Sequence, residues 1–322
     1  MHNFILFALL LLVISTSVEA DGRRVIYLAD KSAGDAFDSV IDTRSAELCR
    51  KNSLAGARCL PPEDVLGPHR RMPNLSGLLW LLGTAGLSGS ERVLVVGDNK
   101  NRRDFIAGTL YLAGQEQVTV LDARITGSEE YQTGPGLMRS KIRETVFVAP
   151  MRADRIVLRN ELKVLISSEH PPVLLDGRSE EEYWGARVRG ARGGHLPGAQ
   201  HFASALVRNA TYNEIDFPRQ SGSPIAYGHD GYEGLAYLAR LIANDIESRV
   251  YLEGWSGWAS DGSLPIDSAS YPEFAVGANS SSGIALESTA DGGNLPSILA
   301  AGGGLALLGF LLGRLSKNGG AG

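Results

Sequence analysis

The sequence predicts an α/β protein. It has two small three-layer domains, each a parallel sheet with helices on both faces, followed by one C-terminal transmembrane helix. Three observations lead there. Short apolar runs of strand length alternate with segments of helical spacing, which selects a parallel sheet covered on both sides. The alternation occurs twice in the same order between residues 23 and 260. A stretch without charge at 295–313 is followed at once by Arg314 and Lys317.

Bulk properties narrow the function classes. A chain of 322 residues holds two ordinary domains with segments to spare. Its 31 basic and 36 acidic residues give a net charge of -5, without the basic excess that nucleic-acid binding requires, so no nucleic-acid partner is expected. No phosphate-binding GxxxxGK[ST], no nucleophile-elbow GxSxG, no CxxC and no Cys/His cluster occurs, so no cofactor and no metal are implied. Only Cys49 and Cys59 are present. In an exported chain they form either one disulfide or two buried thiols, and the choice turns on whether their Cα atoms approach within roughly 7 Å.

The elements follow in chain order. Residues 4–14 are almost wholly apolar and Val18-Glu19-Ala20 fits a small-x-small cleavage site, so residues 1–20 read as a signal peptide. The segment before the apolar run lacks Lys and Arg, and an uncleaved anchor is the alternative. The first domain is expected over 23–125: a strand at 40–44, a helix opened by Ser45, and the turn AGARCLP at 55–61. A helix at 75–86 carries Leu78, Leu79, Leu81 and Leu82; a strand at 92–96, a turn at 97–102, a helix at 103–114 and a strand at 118–121 complete it. Residues 126–150 are the expected inter-domain linker.

The second domain, 151–260, repeats the pattern more clearly. VLLD at 173–176 is a buried strand, and Ser179 with Glu182 three residues on is a capping-box start to a helix. GGHLPGA at 193–199 is a glycine-rich turn; PIAY at 224–227 is a strand and 228–231 a turn. Leu235, Leu238, Ala239 and Ile242 give helical spacing to 232–245, and 250–252 closes the unit. Residues 261–294, rich in Ser, Gly, Ala and Asp, cannot bury enough apolar area and read as a flexible stalk. Residues 295–313 match a hydrocarbon core of roughly 30 Å, and 314–322 form a short basic tail whose charge favours the cytoplasmic side. Gly309 and Gly313 make one GxxxG, a helix-packing face or plain glycine richness. A sorting signal later removed is the alternative to a span. The expected location is therefore the cell membrane, single-pass, with both domains on the periplasmic or extracellular side.

LLDGRSEEEYWG, then GGHLPGA, then VYLEGWSGW, together with VIDTRSAEL, AGARCLP and VLVVGD in the first copy, resembles the tandem-domain rhodanese-like (thiosulfate sulfurtransferase) family. The resemblance implies a cysteine at the end of the central strand, opening a loop whose backbone N–H groups form an anion-binding nest. Here Gly228 stands at that position, and Gly97 (or Asp98, with a one-residue slip) in the first copy. Glycine has no side chain and cannot be a nucleophile, so no catalytic residue is assigned. The resemblance also makes Asp42, Arg44, Asp176, Arg178, His195, Gly198, Trp255 and Trp258 structural. Asp230 and Glu233 stand where active members place basic residues, and two carboxylates repel a dianion.

What remains is a candidate anion-binding set: Gly228, His229, Asp230, Gly231 and Tyr232 from the second loop, with Lys100 and Arg102 from the basic first loop. The expected function is an exported, membrane-anchored, catalytically retired rhodanese-like protein that binds a small anion or a protein partner. Two alternatives stay open: a sulfurtransferase using Cys49 or Cys59 as a non-standard nucleophile, and a redox-responsive protein acting through that pair.

Overall fold

The computed structural model describes residues 25–30, 36–127, 133–210 and 222–267. The signal peptide, the transmembrane stretch 295–313, the tail and most of the stalk lie outside the described residues. Among the described residues, no helix is long and apolar enough to cross a membrane.

The first domain runs β1 (Val25–Leu28), β2 (Ser39–Asp42), α1 (Ala46–Lys51), β3 (Ser53–Leu54), β4 (Arg58–Cys59), α2 (Pro62–Val65), α3 (Leu75–Thr84), β5 (Arg92–Val96), α4 (Lys100–Ala113) and β6 (Gln117–Leu121). Strands β7 (Thr133–Gly134) and β8 (Leu137–Met138) follow. The second domain runs β9 (Ile156–Val157), α5 (Arg159–Ile166), β10 (Leu174–Asp176), α6 (Glu180–Tyr183), β11 (Gln200–His201), α7 (Ser204–Ala210), β12 (Ile225–Tyr227), α8 (Gly231–Ala243), β13 (Arg249–Tyr251) and α9 (Gly254–Ala259).

The first sheet has the order β1-β6-β5-β2-β4-β8 and the second β11-β10-β12-β13-β9, with every neighbouring pair parallel. Without β8 the two orders are the same, strand for strand, when β9 is set on β1 and β12 on β5. The edge strands β1 and β9 have no counterpart in the sequence reading, which began each copy one strand later. Residues 126–150 do more than connect: Leu137–Met138 adds an edge strand to the first sheet, and Thr133–Gly134 pairs antiparallel with β3. Residues 261–267, at the start of the expected stalk, pack on the second domain. Leu264 is buried, the Trp258 indole donates to the Pro265 carbonyl at 2.8 Å, and His195 and Asp267 exchange backbone hydrogen bonds.

Helix α4 begins at Lys100, earlier than its apolar spacing suggests, because the Asn99 side chain accepts from the N–H groups of Asn101 and Arg102. It packs directly on α8, so one apolar core joins the domains: Phe105, Ile106 and Leu110 from α4 with Leu235, Leu238 and Ile242 from α8. Gly108 permits this approach, since a Cβ there would run into the Leu235 carbonyl. Beside the apolar contact lies a buried charge cluster. Asp104 is fully buried, accepts from Tyr27 at 2.8 Å and from Arg240 Nε at 2.6 Å, and also pairs with Arg208. Two arginines of the second domain thus converge on one carboxylate of the first.

Cys49 and Cys59 are disulfide-bonded, with Cα atoms 5.8 Å apart and both residues fully buried. The bond ties α1 to β4. Cys59 lies within that strand rather than in a turn.

Candidate functional site

Strands β10 and β12 are parallel neighbours, so their C-terminal ends open onto the same edge of the sheet, where crevices form in α/β folds. Asp176 ends β10 and forms a buried pair with Arg178 (2.5 Å), which also donates to the Gly194 carbonyl at 2.9 Å and lies over the Trp255 ring. Tyr227 ends β12 and donates to Asp176 at 2.6 Å. Asp176, Arg178 and Trp255 therefore brace the base of the loop that starts at Gly228. His195 does the same from the side: its Nδ1 is 2.9 Å from the Tyr183 carbonyl, its ring stacks on Tyr183, and it is buried. Gly198 takes a φ of 70° in the turn that follows.

In the loop, the N–H groups of Trp255 and Ser256 donate to the carbonyls of Gly228 and His229 at 2.9 and 2.8 Å. The Asp230 side chain caps α8 through the Glu233 N–H at 3.0 Å. The His229 N–H donates to the Glu233 carboxylate at 3.0 Å, and Arg189 forks onto the same carboxylate at 2.7 and 2.9 Å while touching Glu182 through Nε. Burial pushes the Glu233 carboxyl upward, but the Arg189 hydrogen bonds and charge outweigh it and hold the group below its ordinary range. Burial, and then the Arg189 charge, lower the His229 imidazole, whose Nδ1 is buried without a hydrogen-bond partner.

Gly228 is hemmed in. A Cβ at this residue would lie 2.6 Å from Glu233 Cβ and 2.8 Å from the Gly234 nitrogen, closer than real Cβ contacts. Beside it is a cleft of about 450 Å³, lined among others by Arg70, Arg178, Arg187, Arg189, Ser204 and Tyr232. A second cleft of about 550 Å³ includes Asp230 and Gly231 with Arg71 and Arg159.

Arg70 reaches the second-domain loop from the first domain. It ends a short 3-10 turn (Pro68–Arg70), has a left-handed φ of 57°, pairs with Asp230 at 3.3 Å and lies over the Tyr232 ring at 4.4 Å. Tyr232 in turn stacks on Phe105 of α4. Neither Arg70 nor the Arg189–Glu233 pair was found by sequence reasoning. Their pairing is set by contacts distant in the chain, and the only local signal was the density of arginines at 187–192.

The first-domain loop differs. Gly97 has a φ of 151°, and a Cβ there would run into the Thr43 hydroxyl. Asp98 accepts from the N–H groups of Ile125 and Thr126 at 3.1 and 3.0 Å. Arg102 forks onto Glu63 at 2.6 Å on both arms, and Arg103 binds Asp122 at 2.5 Å and the Gly97 carbonyl. Of the two first-loop candidates, Arg102 shares a pocket with Tyr232 and Arg70, whereas exposed Lys100 lines a different one with Asp98 and Arg124. The predicted set is therefore split between two places. Arg44, buried against Asp42 at 2.6 Å, reproduces the Arg178 pair. Among the described residues, no group of acidic, His and Cys side chains suits a metal ion.

Residues 158–261 match the rhodanese-like domain family. No curated protein matches the chain. Among solved structures, a probable thiosulfate sulfurtransferase is 25% identical with a TM-score of 0.53, covering 74% of this chain and 100% of that one. Tum1 from Saccharomyces cerevisiae is 14% identical with a TM-score of 0.58, covering 72% and 91%. Wild-type EanB is 18% identical with a TM-score of 0.55, covering 74% and 65%. The last two likenesses concern the fold alone.

Proposed function

We propose that the chain is an exported, membrane-anchored protein of two rhodanese-like domains that has given up sulfur transfer and binds a small anion in the cleft beside Gly228. One observation carries the reading: the residue that opens the second-domain loop has no side chain, and its surroundings leave no room for one. Sulfur transfer of this kind needs a thiolate that attacks the outer sulfur of thiosulfate, releases sulfite and keeps the sulfur as a persulfide. Neither loop holds a thiol, and both cysteines are consumed in a buried disulfide. The arginines support the binding half of the reading. Arg187 and Arg189 from the second domain and Arg70 from the first put positive charge around a polar cleft, which draws anions rather than apolar ligands. Export and anchoring rest on the apolar N-terminal run and on the stretch 295–313 with its basic flank.

The test is a thiosulfate:cyanide assay on the full chain, paired with a thiosulfate titration followed by tryptophan fluorescence. No thiocyanate above background, with saturable binding weakened in Arg187→Ala, is the expected result. Turnover contradicts the first half of the proposal, and absence of binding contradicts the second. A protein partner on the same cleft would instead appear as a complex that thiosulfate does not displace.

The bonded state of Cys49 and Cys59 favours a second reading, a redox-responsive protein in which that bridge opens and closes. Complete burial of both residues argues for a structural bridge instead. Mass spectrometry of the exported form with and without mild reductant separates the two: a bridge that survives while the chain stays folded is structural.

A further inference from the structure

We infer that Glu233 is a built-in occupant of the second-domain loop, an autoinhibitory carboxylate that an incoming anion must displace from the His229 N–H and from the Arg189 fork. This rests on reading the cleft as an anion site and concerns how that site is controlled.

The argument begins with the donors. A loop N–H and a bidentate guanidinium are what an oxyanion in this cleft would use, and both are already committed to one side chain of the same chain. Glu233 lies in the first turn of α8, a helix of 13 residues, where the helix dipole also favours a negative group. Its stem matters as well as its charge. Glu233 Cβ is the atom nearest to where a side chain at 228 would begin, so one residue both fills the space of the missing side chain and neutralises the donors around it. The neighbouring Asp230 cannot play this part, because its carboxylate is turned to the Glu233 N–H and to Arg70. Glu182 cannot either: it meets only the Nε edge of Arg189 and leaves the fork to Glu233.

Occupation of this kind predicts a weak resting affinity. Removing the Glu233 charge frees the fork and one N–H while leaving every positive group in place. The gain should equal at least one charge-assisted hydrogen bond, about tenfold in affinity or more.

The experiment is a titration of the full chain with sodium thiosulfate, in wild type, Glu233→Gln, Glu233→Ala and the double variant Glu233→Gln with Arg189→Ala. The amide resonance of His229 is followed by NMR in parallel. The expected result is affinity raised at least about tenfold in both single variants and lost in the double variant, with the His229 amide of wild type shifted downfield and losing that shift in Glu233→Gln. Equal affinity in wild type and in both single variants overturns the inference while leaving the anion site standing. A His229 amide that does not respond to Glu233→Gln overturns it whatever the titration shows. If none of the proteins binds thiosulfate but the His229 amide responds, the internal contact stands and the anion-site reading falls.

Discussion

The loops that follow β5 and β12 occupy equivalent places in two sheets of the same strand order, and they are closed in different ways. After β5, Gly97 has a backbone conformation suited to glycine, with the Thr43 hydroxyl in the way of any side chain. The charges there cancel locally, Arg102 on Glu63 and Arg103 on Asp122. After β12, the obstruction is the first turn of α8, the Glu233 Cβ together with the backbone of Glu233 and Gly234, and the loop faces a cleft lined by arginines from both domains. The first loop borders separate pockets at Arg102 and at Lys100. The second borders a cleft where the Arg189 fork is met by the Glu233 carboxylate at the start of α8. The two glycines are thus hemmed in by different groups, a threonine hydroxyl in one loop and the start of a helix in the other.

What the two loops share should produce the largest effects. Each rests on a buried Asp–Arg pair, Asp42 with Arg44 and Asp176 with Arg178. Arg44→Ala and Arg178→Ala each strand a buried carboxylate and should cost about 3–5 kcal/mol in chemical denaturation. If only one is costly, the two scaffolds are not equivalent. Next come the glycines. Gly97→Ala combines a strained φ with a clash and should cost about 3 kcal/mol. Gly228→Cys meets overpacking alone and should cost about 1–3 kcal/mol, without gaining thiosulfate:cyanide activity. Appreciable turnover in Gly228→Cys would show that the loop accepts a thiol nucleophile.

Acid should separate the loops further. The folded-state values of both His229 and Glu233 are depressed. For His229, the unfolded chain takes up the proton first, so the native state loses stability as pH falls from about 6.5 toward the folded value. Glu233 contributes stability that is present above its unfolded value of about 4.3 and is lost as pH falls through its lower folded value. Residues 97–103 contain no histidine, so amide protection in the first loop, corrected for the intrinsic pH dependence of exchange, should not change between neutral pH and pH about 5. Protection in 228–233, corrected in the same way, should fall over that interval, and His229→Gln should remove the change. The smallest effect belongs to the exposed end of the first loop: Glu63→Gln should cost at most about 1 kcal/mol, since Glu63 is largely solvent-exposed in its pair with Arg102.

Much of this was legible in the sequence where the cause is local. Ser45 and Ser179 cap their helices as their spacing implies, and the two D-x-R pairs, the GGHLPGA turn and the closing tryptophans sit where the repeated pattern puts them. Helix α4 was placed too late because its start depends on the Asn99 cap and not on apolar spacing. The edge strands β1, β8 and β9 are short and are recognised only by the strands they join. The candidate site was half legible. Gly228 follows from chain order, but Arg189 with Glu233 is a contact across 44 positions, and Arg70 with Asp230 crosses between domains. No periodicity reports such pairs. The sequence also left the state of Cys49 and Cys59 open, which the 5.8 Å Cα separation and the bond resolve.

The most direct test of the central claim is the intact mass of the full chain after incubation with thiosulfate. A protein with no thiol at either loop should show an unchanged mass. A gain of one sulfur atom that cyanide removes would mean that the chain carries persulfide, and the account of a retired transferase would be wrong.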